Sequence, residues 1–204
     1  MNQSSFQSLI DHYALSIDRF RDAAWKLHES VNQFYDGSLP YGYHLSMVAD
    51  AALRWGHSVV VAPADFLPVV FAALFHDSIE DARLSYNDLL RLASSLLADD
   101  ALALTATEIV YALTNDKGRT RAERAGEHYY AGIRSTPYAP FVKLCDRYAN
   151  TLHSHSDASG KHPHMLRVYR SEWPHFIEAI NAHSSDPRFS LPSEMIAEIE
   201  SLMK

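Results

Sequence analysis

Four side chains that can bind a metal or transfer a proton fall within six residues of this chain. His76, Asp77, Glu80 and Asp81 follow the longest mainly apolar stretch, Val59–Phe75. On a helix with about 3.6 residues per turn, His76 and Glu80 would share one face and Asp77 and Asp81 the next. Burying carboxylates costs free energy unless they are neutralised, as a divalent cation can do, and negative charge is unfavourable at a helix C-terminus. The cluster therefore predicts a functional site rather than a solvated helix end.

Further candidates lie on two other predicted helices. His44 lies just inside one helix, Asp146 lies within another that is otherwise apolar, and Asn150 is one turn after Asp146. Alone, His44 or Asp146 would be interpreted as a helix cap or a salt-bridge partner. Taken together with His76 and Asp77, they supply imidazole and carboxylate ligands from three helices. Such a ligand set suits Mn, Fe or Zn with open positions for water.

The order of these residues resembles the H…HD…D signature of HD-domain metal-dependent phosphohydrolases. The fuller pattern is similar to the hydrolase domain of RelA/SpoT-type (p)ppGpp enzymes, including small stand-alone alarmone hydrolases and metazoan SpoT homologues. It consists of Pro40-Tyr41-x-x-His44, His76-Asp77-x-x-Glu80-Asp81, Leu113-Thr114-Asn115 and Lys143-x-x-Asp146-Arg147-x-x-Asn150. The matching motifs lie within residues of about 25–153, with predicted helices on either side.

This resemblance implies a role for each matching residue. One Mn²⁺ would be held by His44, His76, Asp77 and Asp146, with Glu80 and Asp81 positioning the attacking water and handling its protons. Asn150 would lie near the substrate, and Arg147 would support the site. The implied reaction removes the 3′-pyrophosphate from the alarmone (p)ppGpp of the stringent response, releasing pyrophosphate and GDP or GTP. A metal suits this reaction because it lowers the pKa of bound water and polarises a phosphoryl oxygen.

Other candidate substrate contacts are less specific. They are Lys26, Tyr41, Lys117 and His153, of which Lys117 follows the Leu-Thr-Asn motif where the family often has a basic residue. The chain also departs from the family pattern. The stretch 31–37 lacks the usual Arg-Lys pair, His153 stands where the family often has Thr, and Leu45 replaces Pro. Phe34 or Tyr35 could stack on a base instead, or could simply pack.

Apolar residues recur at helical spacing along most of the chain, and no convincing alternating strand is present. Helices are predicted over about 6–20, 43–55, 63–81, 85–97, 102–113, 119–134, 140–152, 165–182 and 193–203. Ser85 and Asp88 resemble a capping box. The histidine-containing segment 154–164 matches no zinc spacing and predicts a loop. The expected fold is all-α, with residues 1–204 forming one HD-type helical bundle.

Composition narrows the classes of function. The 204 residues carry a net charge of −7, which disfavours a protein whose main partner is nucleic acid. The single cysteine, Cys145, excludes an intrachain disulfide, and Met1–Ile10 lacks the features of a signal peptide. These observations predict a cytoplasmic protein that is not bound to a membrane, while its oligomeric state is left undetermined. The resemblance described above implies that its partner is a small-molecule nucleotide.

Two alternatives to (p)ppGpp hydrolysis remain open at this point. The same HD core could act as a phosphatase or pyrophosphohydrolase on another nucleotide, since the Arg-Lys pair is missing. Alternatively, the chain could be a regulatory HD domain that binds a nucleotide without turnover. Degenerate domains of that kind usually lose a ligand or the Glu-Asp pair, whereas all six positions are filled in this chain.

Overall fold

Helices make up most of the chain, as the sequence predicts. A computed structural model describes residues 1–115, 118–156 and 163–204. The helices are α1 Gln3–His12, α2 Ala14–Ser30, α3 Tyr41–Trp55, α4 Phe66–Phe75, α5 Tyr86–Leu97, α6 Asp100–Leu113, α7 Arg121–Arg124, α8 Glu127–Ser135, α9 Ala139–Ser156, α10 Pro163–Ile180 and α11 Ser193–Leu202. Short 3₁₀ turns span Gly56–Ser58, Pro63–Asp65 and Pro187–Phe189. The all-α prediction is confirmed.

The apolar helix α4 lies at the centre of the bundle. It packs against α2, α3, α6 and α9, and nearly all of its side chains are buried. The Phe71 ring stacks on Phe75 with centroids 4.2 Å apart and meets Phe20 of α2 edge-on. Burying an aromatic or large aliphatic side chain contributes roughly 1.5–3 kcal/mol. Helix α4 therefore anchors the bundle and fixes the position of the polar residues that follow it.

The His76–Asp81 cluster does not continue this helix, so the predicted sharing of helix faces is wrong. Helix α4 ends at Phe75, and residues 76–82 form turns. The Ser78 N–H donates to the Phe75 carbonyl at 2.9 Å, and the Leu84 N–H donates to the Ser78 carbonyl at 3.1 Å, which reverses the chain direction. Within these turns the Asp81 N–H also donates to the Asp77 carbonyl at 2.8 Å.

A small β-hairpin was not predicted. Strand β1 (Phe34–Tyr35) pairs antiparallel with β2 (Leu39–Pro40). Between them, Asp36 and Gly37 have φ angles of 55° and 70°. Asp-Gly is a strong hairpin signal because both residues tolerate this left-handed backbone, and it was the sequence feature that could have identified the turn. The strands are too short to show alternation, which explains the missed prediction.

Several helix boundaries also differ from the predicted ones. The helix predicted over 6–20 is interrupted at Tyr13, and the one predicted over 119–134 is divided into α7 and α8 around Gly126. The loop predicted over 154–164 is partly wrong, since α9 extends to Ser156 and α10 begins at Pro163, while 157–162 lie outside the described residues. The capping box is confirmed, with Ser85 and Asp88 bonded reciprocally at the start of α5.

Among the residues described, no helix combines the length and the apolar character needed to cross a bilayer.

Gly42 allows α2 and α3 to approach closely, and this contact positions the first turn of α3. A Cβ at Gly42 would lie 2.3 Å from Trp25 Cδ2, so the Trp25 ring leaves no room for one. We expect Gly42→Ala to lower the free energy of unfolding by about 1–3 kcal/mol, as overpacking does. Urea unfolding measures this change.

Gly132 in α8 is the matched control, because a Cβ there would meet nothing within 4 Å. We expect Gly132→Ala to leave stability unchanged or to raise it by up to about 1 kcal/mol. Equal stabilities for the two variants would contradict a tight α2–α3 contact.

Candidate metal centre

Four side chains from three parts of the chain converge on one point. They are His44 from α3, His76 and Asp77 from the turn after α4, and Asp146 from α9. His44 Nε2 lies 3.3 Å from His76 Nε2, 3.7 Å from Asp77 Oδ2 and 3.4 Å from Asp146 Oδ1. His76 Nε2 lies 2.9 Å from Asp77 Oδ2 and 3.8 Å from Asp146 Oδ1. These are the four residues predicted as metal ligands.

The spacing of these atoms fits a metal centre. Ligand atoms at about 2.1 Å from one ion, with about 90–110° between their bonds, lie about 3.0–3.4 Å apart. The His44, His76 and Asp77 atoms form a group that could hold a metal ion, and Asp146 Oδ1 approaches both imidazoles within the distances given above. Two imidazoles and two carboxylates suit Mn²⁺, Fe²⁺ or Zn²⁺ and do not distinguish among them.

The orientation of His76 supports the same interpretation. Its Nδ1 lies 3.0 Å from the Ala73 carbonyl, an acceptor, so Nδ1 carries the proton of that hydrogen bond. Nε2 therefore faces the cluster. Metal-binding histidines typically have their second ring nitrogen fixed in this way. Both imidazoles are almost completely buried, with His44 and His76 each 2% exposed.

The electrostatics of the cluster depend on pairing between opposite charges. Burial opposes the charged form of His76, but the adjacent Asp77 carboxylate outweighs it and raises the pKa of His76 to about 9. Burial likewise opposes ionisation of Asp77, yet His76 holds the pKa of that carboxyl well below its usual range. A proton on His76 thus balances the carboxylates, and a divalent cation would compete with that proton.

Asp77 and Asp146 are each held by further hydrogen bonds. The Tyr41 hydroxyl donates to Asp77 Oδ2 at 2.5 Å. Lys143 Nζ donates to Asp146 Oδ2 at 3.0 Å, and Asn150 Nδ2 donates to Asp146 Oδ1 at 2.6 Å. Despite burial, Lys143 holds the pKa of Asp146 well below its usual range. Tyr41 and Asn150, both predicted as substrate contacts, therefore position ligand carboxylates.

Glu80 and Asp81 lie beside the cluster but not within it. Asn115 clamps Glu80, with its backbone N–H donating to Oε1 at 2.5 Å and its Nδ2 donating to Oε2 at 2.9 Å. Burial raises the pKa of Glu80, and burial together with the Asp77 charge raises the pKa of Asp81. A carboxylate with a raised pKa is a better proton acceptor at neutral pH. Asn115 was part of a predicted motif, but its role as a clamp was missed.

A cavity of about 880 Å³ opens over this cluster, a size within the range of ligand sites. Its floor is formed by most of the residues described above, namely Tyr41, His44, Asp77, Glu80, Asp81, Asn115, Lys143, Asp146 and Asn150, whereas His76 does not line it. Its opposite wall comes from 124–130 and from α10, which contribute Arg124, Ala125, Gly126, Glu127, Tyr129, Tyr130, Tyr169, Glu172, His175 and Phe176. Sequence reasoning missed this wall, because 119–134 looked polar and α10 looked like a packing helix. The Tyr129-Tyr130 pair was the available signal.

Three of the other residues predicted as substrate contacts lie in the part of the chain that the structure describes, and one of the three lines the cavity. Arg147 lines it, with its guanidinium bonded to Glu172 at 3.0 Å. Lys26 is exposed on α2, and His153 packs edge-on against Tyr35, so neither belongs to the lining. Of the two aromatic candidates, Tyr35 lines the cavity and Phe34 is 55% exposed outside it. Lys117 lies outside the described residues.

Comparison with protein-family models, with curated proteins and with solved structures found no match. The site is therefore characterised by its own geometry.

His28 lies beside the candidate metal cluster, against Tyr41. It is fully buried, its imidazole stacks on Tyr41 with centroids 4.7 Å apart, and neither ring nitrogen has a hydrogen-bond partner among the described residues. Burial lowers the pKa of His28 from 6.5 to about 4. The folded protein therefore keeps this imidazole neutral in mildly acidic solution, where the unfolded chain would protonate it.

This difference predicts a pH-dependent loss of stability. Because the folded pKa is the lower one, the contribution of His28 is complete above pH 6.5 and is lost as the pH falls toward about 4, by up to about 3 kcal/mol. We expect the stability of wild type to fall relative to that of His28→Phe across this interval. Urea unfolding of both metal-free proteins from pH 7 to 4 measures it. A constant difference between them would contradict the buried neutral imidazole.

Proposed function

We propose that this protein is a metal-dependent phosphohydrolase that acts on a nucleotide. The observation that carries the proposal is the convergence of two carboxylates on two imidazoles, each carboxylate lying within 3.8 Å of both, beside a cavity that Glu80 and Asp81 also line. The same residues carry the sequence resemblance to HD-domain phosphohydrolases. Mn²⁺ is the proposed metal, and a cytoplasmic location stays a prediction.

The residues divide into two functional groups. His44, His76, Asp77 and Asp146 would hold the metal, which when bound supplies an acidified water and polarises a phosphoryl oxygen. Glu80, fixed by Asn115, would accept the proton of the attacking water, and Asp81 would help to return a proton to the leaving oxygen. Tyr41, Lys143 and Asn150 would keep the ligand carboxylates in place.

The leading substrate is (p)ppGpp, cleaved at its 3′-pyrophosphate. This choice follows from the motif resemblance, and the size of the cavity is compatible with a nucleotide. Hydrolysis of another nucleotide by the same metal centre is the second candidate. The observation that favours it concerns the segment 31–37, which includes strand β1. This segment carries no basic residue, and its Tyr35 stacks on His44 of the cluster.

The direct test is an assay of metal-stripped protein with ppGpp, with and without added Mn²⁺, in which GDP and pyrophosphate are separated. We expect release of both products only with the metal. Absence of release from ppGpp, with metal bound, would reassign the substrate, and a panel of other nucleotides would then identify it. Nucleotide binding without turnover of any of them would instead indicate a regulatory binding domain.

Two substitutions should separate metal binding from proton transfer. We expect Asp77→Ala to abolish both metal binding and turnover, since it removes one ligand and leaves His76 without its partner. We expect Glu80→Gln to retain the metal but to lower kcat by about 10²–10⁴-fold, the usual cost of losing an acid–base group. Metal content is measured by mass spectrometry alongside turnover.

Cys145→Ala serves as the control, because the thiol is fully buried beside Asp146 and has no part in the proposed chemistry. It should retain both metal and turnover. Full activity of Glu80→Gln would show that the proposed mechanism is wrong.

A further inference from the structure

The β-hairpin contacts the candidate metal cluster through Tyr35. The Tyr35 ring stacks on His44 with centroids 4.8 Å apart and an interplanar angle of 12°. Its hydroxyl donates to Asn150 Oδ1 at 2.8 Å. His153 packs edge-on against the outer part of Tyr35 and approaches Asp36. Because these contacts already engage both the ring and the hydroxyl of Tyr35, the other aromatic residues that line the cavity are better placed to receive a base.

The cavity instead extends toward an aromatic wall on α8 and α10. We call the residues Tyr130, Tyr169, His175 and Phe176 the aromatic wall; all four line the same cavity as the metal cluster. His175 is exposed at its edge and meets Tyr130 at 5.9 Å in a T-shaped arrangement. Rings of this kind bind planar groups by stacking.

Two of the three Lys and Arg residues that line the cavity, Lys143 and Arg147, are already paired with carboxylates, and the third, Arg124, is exposed. Lys143 donates to Asp146, as described above. The Arg147 guanidinium lies between the Tyr169 and Phe176 rings, at 4.7 and 4.3 Å from their centroids, and donates to Glu172. Because its guanidinium is already paired with a carboxylate, this aromatic surface suits a neutral planar group better than a phosphate. The candidate metal cluster at the cavity floor suits the phosphate.

We propose that the aromatic wall of α8 and α10 is the subsite for the nucleobase of the substrate. In this arrangement the phosphate to be cleaved lies at the metal floor, and the base lies beside Tyr130 and His175, away from the hairpin. The inference rests on the proposed function, because it assumes that a phosphate group occupies the metal floor. It assigns base selectivity to residues that the motif pattern does not contain.

The experiment compares GMP with ribose 5-phosphate, which carries the same phosphate but no base, on the Mn²⁺-loaded full chain by isothermal titration calorimetry. We expect GMP to bind at least about tenfold more tightly, within the range that stacking of one base supplies. His175→Ala and Tyr130→Leu should each remove most of that difference. Neither should change the affinity for ribose 5-phosphate or for Mn²⁺.

Phe34→Ala is the matched control, because Phe34 is an exposed aromatic residue of the hairpin that does not line the cavity. It should leave GMP affinity unchanged. The inference is overturned if GMP and ribose 5-phosphate bind equally, or if Phe34→Ala weakens GMP binding while the two wall variants do not. His175→Ala is the more informative wall variant, since its side chain is exposed and its loss does not disturb the core.

Failure of the proposed function has a different signature. A chain that takes up no Mn²⁺, or that binds Mn²⁺ but neither phosphate compound, would contradict the metal phosphohydrolase and remove the premise of the subsite. Binding of both compounds with equal affinity would leave the metal centre intact and reject only the base subsite.

Discussion

Charge burial at the end of the most apolar helix is the constraint on which the rest of the site depends. Helix α4 is surrounded by other helices, so the chain that leaves it at His76 starts inside the bundle. Ionised groups are costly there unless each has a partner. The His76–Asp77 pair, with its atoms 2.9 Å apart, provides the first of these partners, and the others are arranged around it.

The surrounding residues hold this pair and Asp146 in place by hydrogen bonds. Tyr41 bonds to Asp77, Lys143 and Asn150 bond to Asp146, and the Ala73 carbonyl bonds to His76. Only the Tyr41–Asp77 bond joins two elements distant in sequence, since Lys143 and Asn150 lie on the same helix as Asp146 and Ala73 lies three residues before His76. The packing of α3, α4 and α9 is linked to the geometry of the cluster through this bond and through the contacts of Asp146 with His44 and His76.

The sequence was sufficient to predict that His44, His76, Asp77 and Asp146 come together, since residue types that bind metals are few and their order along the chain is distinctive. It was also sufficient to predict most helices from apolar periodicity. The local conformation of His76–Asp81 was mispredicted because the apolar pattern ends at Phe75, and nothing in the following polar residues distinguishes a turn from a helix. The aromatic wall was missed for a different reason. Tyr130 lies 13 residues before Lys143 and Tyr169 lies 19 residues after Asn150, both outside the motifs, and only tertiary packing shows that they line the same cavity.

The Arg147–Glu172 contact also bears on how the substrate range of such a protein can change. Arg147 stands next to a predicted metal ligand on α9, yet its guanidinium binds α10, so one residue joins the ligand helix to the wall helix. The four candidate ligands lie on α3, α9 and the turn after α4, and none of them lies on α8 or α10. Substitutions in the wall can therefore accumulate without altering the metal centre, as long as the Arg147–Glu172 contact is kept. If the proposed function and base subsite hold, chemistry and selectivity would be carried by separate parts of the chain, and one could diverge while the other is retained.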